Sequence, residues 1–413
     1  MRQGLRFWDD RTPPARRQSW PTWKPSKGGA GDRADIVVIG GGLTGCASAY
    51  AFAAAGYSVI LLEAARIASG ATAGSTGLLL SGFDGSFASH DALHGRRASR
   101  AMWQQARRGV LEFAALIRRL GIRCDLESTS VITIANDVKA LAKEYGARRE
   151  AGLQVSRLTA SAAVRETAVE DAARAAMRTP GAFTFDPVRA TLGLASHAGK
   201  AGARIFEQSP VLRVKHLPRG RGVQVRTAAG MIAAQAAVIA TGSAGPLVSQ
   251  LRRHFITRDT YIIVTEPMPG AMRRGVGQRK SALMDSGTPP HTVRWLKDDR
   301  VMISGADQPA PPARLTDRTL TQRTGQLMYE LSLLYPALSG IQPAYSWAVQ
   351  LATTADGAPF VGPHRNLPGH LLSLGFGRHG DGLAWLAARA LVRYHRGAPT
   401  KDDAVFGFTR HDA

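Results

Sequence analysis

Cysteine is nearly absent: Cys46 and Cys124 are the only two in 413 residues. Two thiols cannot build a disulfide framework, and no CxxC or Cys/His cluster offers a ligand set, so no metal is expected. Redox chemistry, if there is any, must come from a bound cofactor, and a cytoplasmic compartment is expected. Cys46, directly after Gly45, reads as a small helix-packing residue. Long apolar runs are missing too. None approaches the roughly 18 residues of a membrane span. Met1 to Lys27 mixes Arg, Trp, Asp and Pro without the apolar core of a Sec signal peptide, and Arg16-Arg17 lacks the apolar stretch that follows a twin-arginine signal.

Acids are scarce as well, 31 Asp and Glu against 53 Lys and Arg, for a net charge of +22. Such an excess suits nucleic acid or an anionic membrane surface. The arginines, however, form scattered doublets at Arg96-Arg97, Arg107-Arg108, Arg118-Arg119 and Arg252-Arg253, with no long basic run. Met102, Ala106, Val110, Phe113, Ile117 and Leu120 recur at helical spacing while the Arg pairs fall mostly on other faces. This is the pattern of an amphipathic helix with a solvated side. It disfavours a nucleic-acid partner and leaves peripheral association with the inner membrane open.

With 44% hydrophobic and 20% charged residues, the chain can bury a large core and is long enough for two or three domains. Its most informative stretch is Asp35 to Glu63. A β-branched run is followed by Gly40-Gly-Gly42-Leu43-Thr44-Gly45, an alanine-rich helical segment, and Val59-Ile-Leu-Leu-Glu63. Gly40 permits the tight turn, Gly42 lets backbone approach a pyrophosphate, and Gly45 lets helix and sheet pack closely. Phosphates would meet free N–H groups at the helix start. Glu63 can accept both hydroxyls of an adenosine ribose and would repel a 2′-phosphate, which favours FAD or NAD over NADP.

Around this unit, residues 1–33 read as an arm with a glycine-rich linker at Gly28 to Gly31. Ala68 to Gly77 is a second small-residue loop with room to wrap a cofactor. Helical sequence runs from His90 to Leu120. Strands are expected at Ala203–Phe206 and Val211–Lys215, with a hairpin of Val223–Thr227 and Met231–Ala233. A separate apolar strand from Ala236 ends in Thr241-Gly242. Tyr261–Thr265, Val293–Leu296 and Val301–Ile303 suggest an antiparallel sheet, and 314–334 is helical. Near the C-terminus the glycine loop Gly375–Gly382 leads into a helix that Gly397 stops.

These residues resemble the D-amino acid oxidase-like family of FAD-dependent oxidoreductases, nearest to its glycine/sarcosine oxidase and gamma-glutamylputrescine oxidoreductase branches. The resemblance rests on Gly40 to Gly45, Leu62 to Thr72, Asp186-Pro187, Val211, Ala240-Thr241-Gly242, Val264 to Pro267, Asp356 to Pro359 and Gly375 to Gly382. Phe7-Trp8-Asp9-Asp10 is similar to the arm of the putrescine branch. The implied fold is α/β (α+β). A Rossmann-like FAD-binding domain would be assembled from 34–90, 183–250 and 345–400, beside an antiparallel-sheet substrate domain from 91–182 and 251–344. The implied cofactor is noncovalent FAD. Gly40, Gly42, Leu43, Thr44 and Gly45 would hold its pyrophosphate, Glu63 its ribose, and Arg66 would lie beside the adenosine. Ala71, Thr72, Ser75, Thr76, Gly77 and Leu78 would line the path to the flavin. Val211 would meet adenine, and Ala240, Thr241 and Gly242 would close over the cofactor. Gly380, Asp381, Gly382 and Leu383 would face the flavin ring.

The implied reaction is oxidation of the C–N bond of a small amine or amino acid by hydride transfer to flavin N5, followed by imine hydrolysis. The electron acceptor is left open between oxygen and a quinone, and the oligomeric state is left open too. Many relatives carry an arginine that clamps the substrate carboxylate, and here Leu351 stands in its place. Either the substrate is an amine without an α-carboxylate, or another cation serves. Arg378 is the first candidate, Arg294 a weaker one, and His379 beside Arg378 is a candidate catalytic group. Three other readings stand beside this one: a flavoprotein that modifies tRNA, a flavoprotein subunit of a hetero-oligomeric dehydrogenase without its own substrate site, and an NAD-dependent dehydrogenase. The C-terminal glycine loop argues against the last.

Overall fold

A computed structural model describes residues 1–411 except 14, 16, 27–31, 136, 219–221 and 288. The linker expected at Gly28 to Gly31 lies outside the described residues. Two sheets organise the chain. In the first, Asp32–Ile39 lies between Val59–Leu62 and Met231–Gly242, all parallel. Arg204–Phe206 extends one edge and Leu367–Leu374 the other, again in parallel, and Phe360–His364 closes that edge antiparallel. Parallel strands need both faces covered, and their runs are apolar throughout: Ile36, Val37 and Val38, Ile60 and Leu61, and Ala237 to Ile239 are all fully or nearly fully buried. The helices Leu43–Ala54, Pro187–Lys200 and Ala384–His395 pack together on one face. Met231–Gly242 is one strand of 12 residues, not a hairpin arm plus a separate strand. Its first half pairs with Val223–Arg226 and its whole length continues into the parallel ladder.

The second sheet runs Arg2–Gln3, Pro343–Thr353, Ile256–Thr265, Val301–Gln308, Thr292–Trp295, Ala282–Asp285, Glu127–Ile134, Ala176–Thr184 and Leu78–Leu79. It is mainly antiparallel, with parallel joints at Arg2–Gln3 to Tyr345-Ser346 and at Ala282–Asp285 to Val131–Ile134. Pro343–Thr353 therefore pairs in the second sheet, although the sequence groups 345–400 with the FAD-binding segments. Its ten-residue ladder with Ile256–Thr265 decides this. The helix Thr316–Leu334 covers the outer face. Phe87–Arg119 buries Met102, Ala106, Val110, Phe113 and Ile117, the stripe expected from the spacing. Among the described residues no helix is long and apolar enough to cross a membrane.

Both ends of the chain are fastened into this frame. The first residues are a strand and a helix, Phe7–Arg11, whose Phe7 and Trp8 are buried. The residues expected to form an arm are thus packed into the fold at Phe7 and Trp8. At the other end Arg410 grips Asp356 through two nitrogens at 2.8 and 2.9 Å, donates to the Pro359 carbonyl at 3.0 Å, and lies 3.8 Å from the Phe360 ring centroid. The ion pair is nearly inaccessible, with side chains 4% and 0% exposed. Removing one partner of such a pair strands the other charge and costs about 3–5 kcal/mol. We therefore expect Arg410→Met to lower the urea unfolding midpoint by a corresponding amount; an unchanged midpoint would contradict this role for the tail.

Candidate functional site

The first site element is the turn between Asp32–Ile39 and Leu43–Ala54. Gly40 has φ +108°, and a Cβ there would lie 2.5 Å from the Ala240 carbonyl oxygen. A Cβ at Gly45 would run into the carbonyl oxygen of Gly40. Only glycine allows helix, turn and neighbouring strand to approach this closely. The cap residue Gly42 brings no side chain over the helix start, and the Thr72 hydroxyl accepts from the Leu43 N–H at 3.0 Å. Thr44 is half-buried beside them. With Thr72 on the first N–H, the N–H groups that follow at this helix start can take a pyrophosphate. Glu63, at the end of Val59–Leu62, is fixed by N–H groups of Gly41 and Ala65 at 2.6 and 2.8 Å. Its own backbone carbonyl accepts from Ser209 N–H at 2.8 Å, which brings the strand beginning at Val211 to the same edge. Arg66 is exposed just beyond Glu63. These residues fit the adenosine and pyrophosphate half of a dinucleotide.

The second element is the loop Ala71 to Leu78. Trp8 Nε1 donates to the Ser75 carbonyl at 2.7 Å, and Trp347 Nε1 to Gly74 at 3.2 Å. Ser75 Oγ hydrogen-bonds Asp381, which joins this loop to the C-terminal turn Gly380–Leu383. Gly242 accepts from Gly375 N–H at 3.1 Å, so Ala240-Thr241-Gly242 and the C-terminal loop also meet. Segments spread across the whole sequence thus converge along one track. Burial pushes the Asp381 carboxyl up to about 6, against the pull of its Ser75 hydrogen bond.

A cavity of about 940 Å³ lies at the end of this track. Leu80 to Ser86, the helix Val138–Glu150, Asp285 to Gly287 with Pro289 and Pro290, and the sheet residues Arg258, Asp307 and Thr353 wall it, and the C-terminal loop enters through Arg378 and His379. Arg378, the candidate carboxylate clamp, is ion-paired with Asp307 and donates to the Pro290 carbonyl at 3.1 Å. Its positive charge is already matched. Burial raises the Asp307 pKa while Arg378 opposes that shift. His379 is buried with its Nε2 3.6 Å from Asp84. Burial holds its pKa below the usual range, Asp84 notwithstanding, so the imidazole is neutral near pH 7.

Two candidates do not reach the cavity wall. Arg294 is buried and points its guanidinium at backbone, donating to Thr76, Gly77 and Phe185 carbonyls at 2.7, 2.5 and 3.3 Å. Burial depresses its pKa to about 10. It braces the Ala71 to Leu78 loop. Leu351 is half-buried against the main core cluster. The cavity instead uses Asp84, Asp307, Arg258 and Thr353, which the sequence reading passed over. Asp84 sits in no motif, and Arg258 precedes the apolar run that marked the strand, which begins at Ile256 and not at Tyr261. Among the described residues no group of three or more His, Cys, Asp or Glu side chains is placed to hold a metal.

A family model described as "DAO: FAD dependent oxidoreductase" matches residues 35–394. The chain belongs to this family. It is an FAD-dependent oxidoreductase, and the segments gathered along the track are those of a DAO protein. It is 25% identical over 369 residues to the "Probable oxidoreductase OrdL" of Haemophilus influenzae, covering 87% of this chain and 82% of that one. It is 25% identical over 382 residues to the gamma-glutamylputrescine oxidoreductase of Escherichia coli, covering 90% and 85%. The crystal structure of glycine oxidase from Geobacillus kaustophilus superposes with a TM-score of 0.77 at 22% identity, over 92% of this chain and 99% of that one. This DAO fold is thus shared over nearly the full length.

Two outcomes test the cofactor track. Gly45→Ala forces a methyl group into backbone that cannot yield, an overpacking cost of at least about 1–3 kcal/mol; purified variant should show a much lower ratio of visible flavin absorbance to protein absorbance than wild type. Asp381 has a folded pKa above its unfolded value of 3.8. Its contribution to stability is therefore present in full below pH 3.8 and is lost as pH rises through about 6. Relative to Asp381→Asn, wild type should lose melting temperature across that window. Parallel curves would show that Asp381 is not buried as an acid.

Proposed function

We propose that this protein oxidises the C–N bond of a small amine or amino acid, with FAD held noncovalently. What carries the reading is the C-terminal loop, which walls the cavity with Arg378 and His379 and turns within a few residues into the bed formed by Gly380 to Leu383 against Ser75. One loop thus serves substrate and cofactor. The names of the relatives, a gamma-glutamylputrescine oxidoreductase and a glycine oxidase, supply the substrate class.

In this proposal Gly40, Gly42, Leu43, Thr44 and Gly45 hold the pyrophosphate and Glu63 the ribose. Arg66 and Val211 flank the adenosine. Ala71, Thr72, Ser75, Thr76, Gly77 and Leu78, with Ala240 to Gly242, enclose the middle, and Gly380 to Leu383 direct backbone N–H groups at the flavin ring. The cofactor supplies a two-electron acceptor for the hydride leaving the carbon next to nitrogen, and water hydrolyses the resulting imine. The chain's own task is orientation and proton placement. An ammonium cannot release hydride readily, so the amine must be bound neutral. His379, uncharged near pH 7, can take that proton, and Asp84 at 3.6 Å favours the imidazolium once formed. The Arg378–Asp307 pair fixes the loop carrying His379.

Purified protein should be yellow, and its visible flavin band should bleach anaerobically with at least one compound among N-methyl amino acids, D-amino acids, polyamines and gamma-glutamyl amines. If FAD is bound and none of these classes reduces it, the reading is wrong.

A further inference from the structure

The cavity is lined by the carboxylates Asp84, Glu144, Asp285 and Asp307 and by the cations Lys143, Arg148, Arg258 and Arg378, and Asp84 accepts the Arg378 backbone N–H at 3.2 Å. Glu144 is taken by Arg148 and by the N–H groups of Phe87 and Ala88, each at 2.8 Å. Asp285 is taken by His291 at 2.6 Å, and Asp307 by Arg378. Arg258 lines the same cavity at its exposed mouth, and among the described residues it has no ion pair and no hydrogen-bond partner. Lys143 is the other unmatched cation, on an exposed helix at the rim.

The position of Arg258 is fixed by the sheet. In the ladder between Ile256–Thr265 and Pro343–Thr353 it stands directly opposite Leu351. Directly opposed residues share a sheet face, and so do residues two apart on a strand. Arg258 therefore shares a face with Thr260, Ile262 and Val264 on its own strand and with Val349, Leu351 and Thr353 on the next. Val349 on that face packs so closely on Gly74 of the cofactor loop that a Cβ at Gly74 would lie 2.7 Å from it. Thr353, also on the cavity wall, has a buried hydroxyl with no partner among the described residues. Toward the core this face is apolar and buried, and it ends at the cavity with a guanidinium and a hydroxyl.

We propose that Arg258, assisted by the Thr353 hydroxyl, binds a carboxylate of the substrate at the cavity end of this sheet face. The proposal rests on the reading of the protein as an amine or amino-acid oxidoreductase and narrows it to substrates that carry a carboxylate. The guanidinium fork matches a carboxylate through two parallel hydrogen bonds. Arg258 stands directly across the ladder from Leu351, and of these two positions it is the one whose side chain lines the cavity. Arg378 is then a wall residue and not the anion receptor.

The test uses oxidised holoprotein and benzoate as the carboxylate probe, followed by perturbation of the visible flavin spectrum, with benzamide as its uncharged counterpart. Benzoate should bind and benzamide more weakly. Loss of a charge-assisted pair predicts about 10- to 100-fold weaker benzoate binding in Arg258→Met, with a partial return in Arg258→Lys. The double variant Arg258→Leu with Leu351→Arg, which moves the cation across the ladder, should recover much of the affinity. If Arg258→Met fails to retain FAD, the double variant decides: recovery supports the proposal and no recovery overturns it. Wild type that ignores benzoate also overturns it, as does binding that is unchanged in Arg258→Met but lost in Arg378→Met. On a substrate found in the anaerobic screen, the loss should appear in KM more than in kcat. Carboxylate binding through Arg258 with no reducing amine would sink the oxidation reading; an active enzyme indifferent to Arg258 would sink this proposal alone.

Discussion

The structure hangs on a guanidinium that has no carboxylate within reach. Arg294 rises from the strand Thr292–Trp295 of the second sheet and donates through Nη1 to the carbonyls of Thr76, Gly77 and Phe185, all outside that strand, while its buried Nε has no partner among the described residues. A buried cation is costly unless its donors are satisfied. The three backbone oxygens meet Nη1 only when the loop Ala71 to Leu78 is in its proper place, with Trp8 lying over the guanidinium at 5.4 Å. Together with Trp347, which donates to the Gly74 carbonyl from the same sheet, Arg294 fixes the distance between the sheet that shapes the cavity and the loop that runs beside the cofactor. Without that registration the convergence of Thr72, Ser75 and Asp381 would be loose.

What could be read from the sequence, and what could not, follows from how local each feature is. Gly40, Gly42, Gly45 and Glu63 lie within one βαβ unit, where turn, helix start and acid are spaced by the geometry of consecutive elements. Their arrangement was legible. The long amphipathic helix was legible for the same reason, since 3.6-residue periodicity is local. The placement of Pro343–Thr353 was not. Its apolar alternation says that it is a strand, but only pairing with Ile256–Thr265 says which sheet it joins. Arg294 shows the limit most clearly: nothing nearby in sequence distinguishes an arginine that meets substrate from one that meets three carbonyls on distant segments. Arg258 escaped notice because the strand's polar end lacks the apolar alternation by which its other end was recognised.

The cavity has a consistent electrostatic design. Its acids accept from cations or N–H groups, its histidine is held neutral by burial, and Arg258 and Lys143 carry no ion pair among the described residues. A buried ion pair such as Arg378 with Asp307 contributes little net stability, because desolvating both charges offsets most of their attraction. Its effect here is geometric, since it stiffens the loop on which His379 and Gly380 to Leu383 depend. Rigid placement of donors and dipoles is what permits charge changes at a cofactor without reorganisation of the surroundings.

The parallel ladder also governs how the chain comes into being. Ile39 pairs with Ile239, and the strand carrying Ile239 is flanked on its other side by Leu371 and Leu372. During synthesis the apolar end of the Asp32–Ile39 strand emerges early and must wait, with one edge unpaired, until nearly half the chain has followed. The far edge then waits nearly to the last helix. Such non-local pairing is slow and exposes strand edges that can associate with other chains. The same long-range closure that gathers a cofactor bed from both ends of the polypeptide thus makes the nascent protein dependent on whatever shields that first strand until its partners arrive.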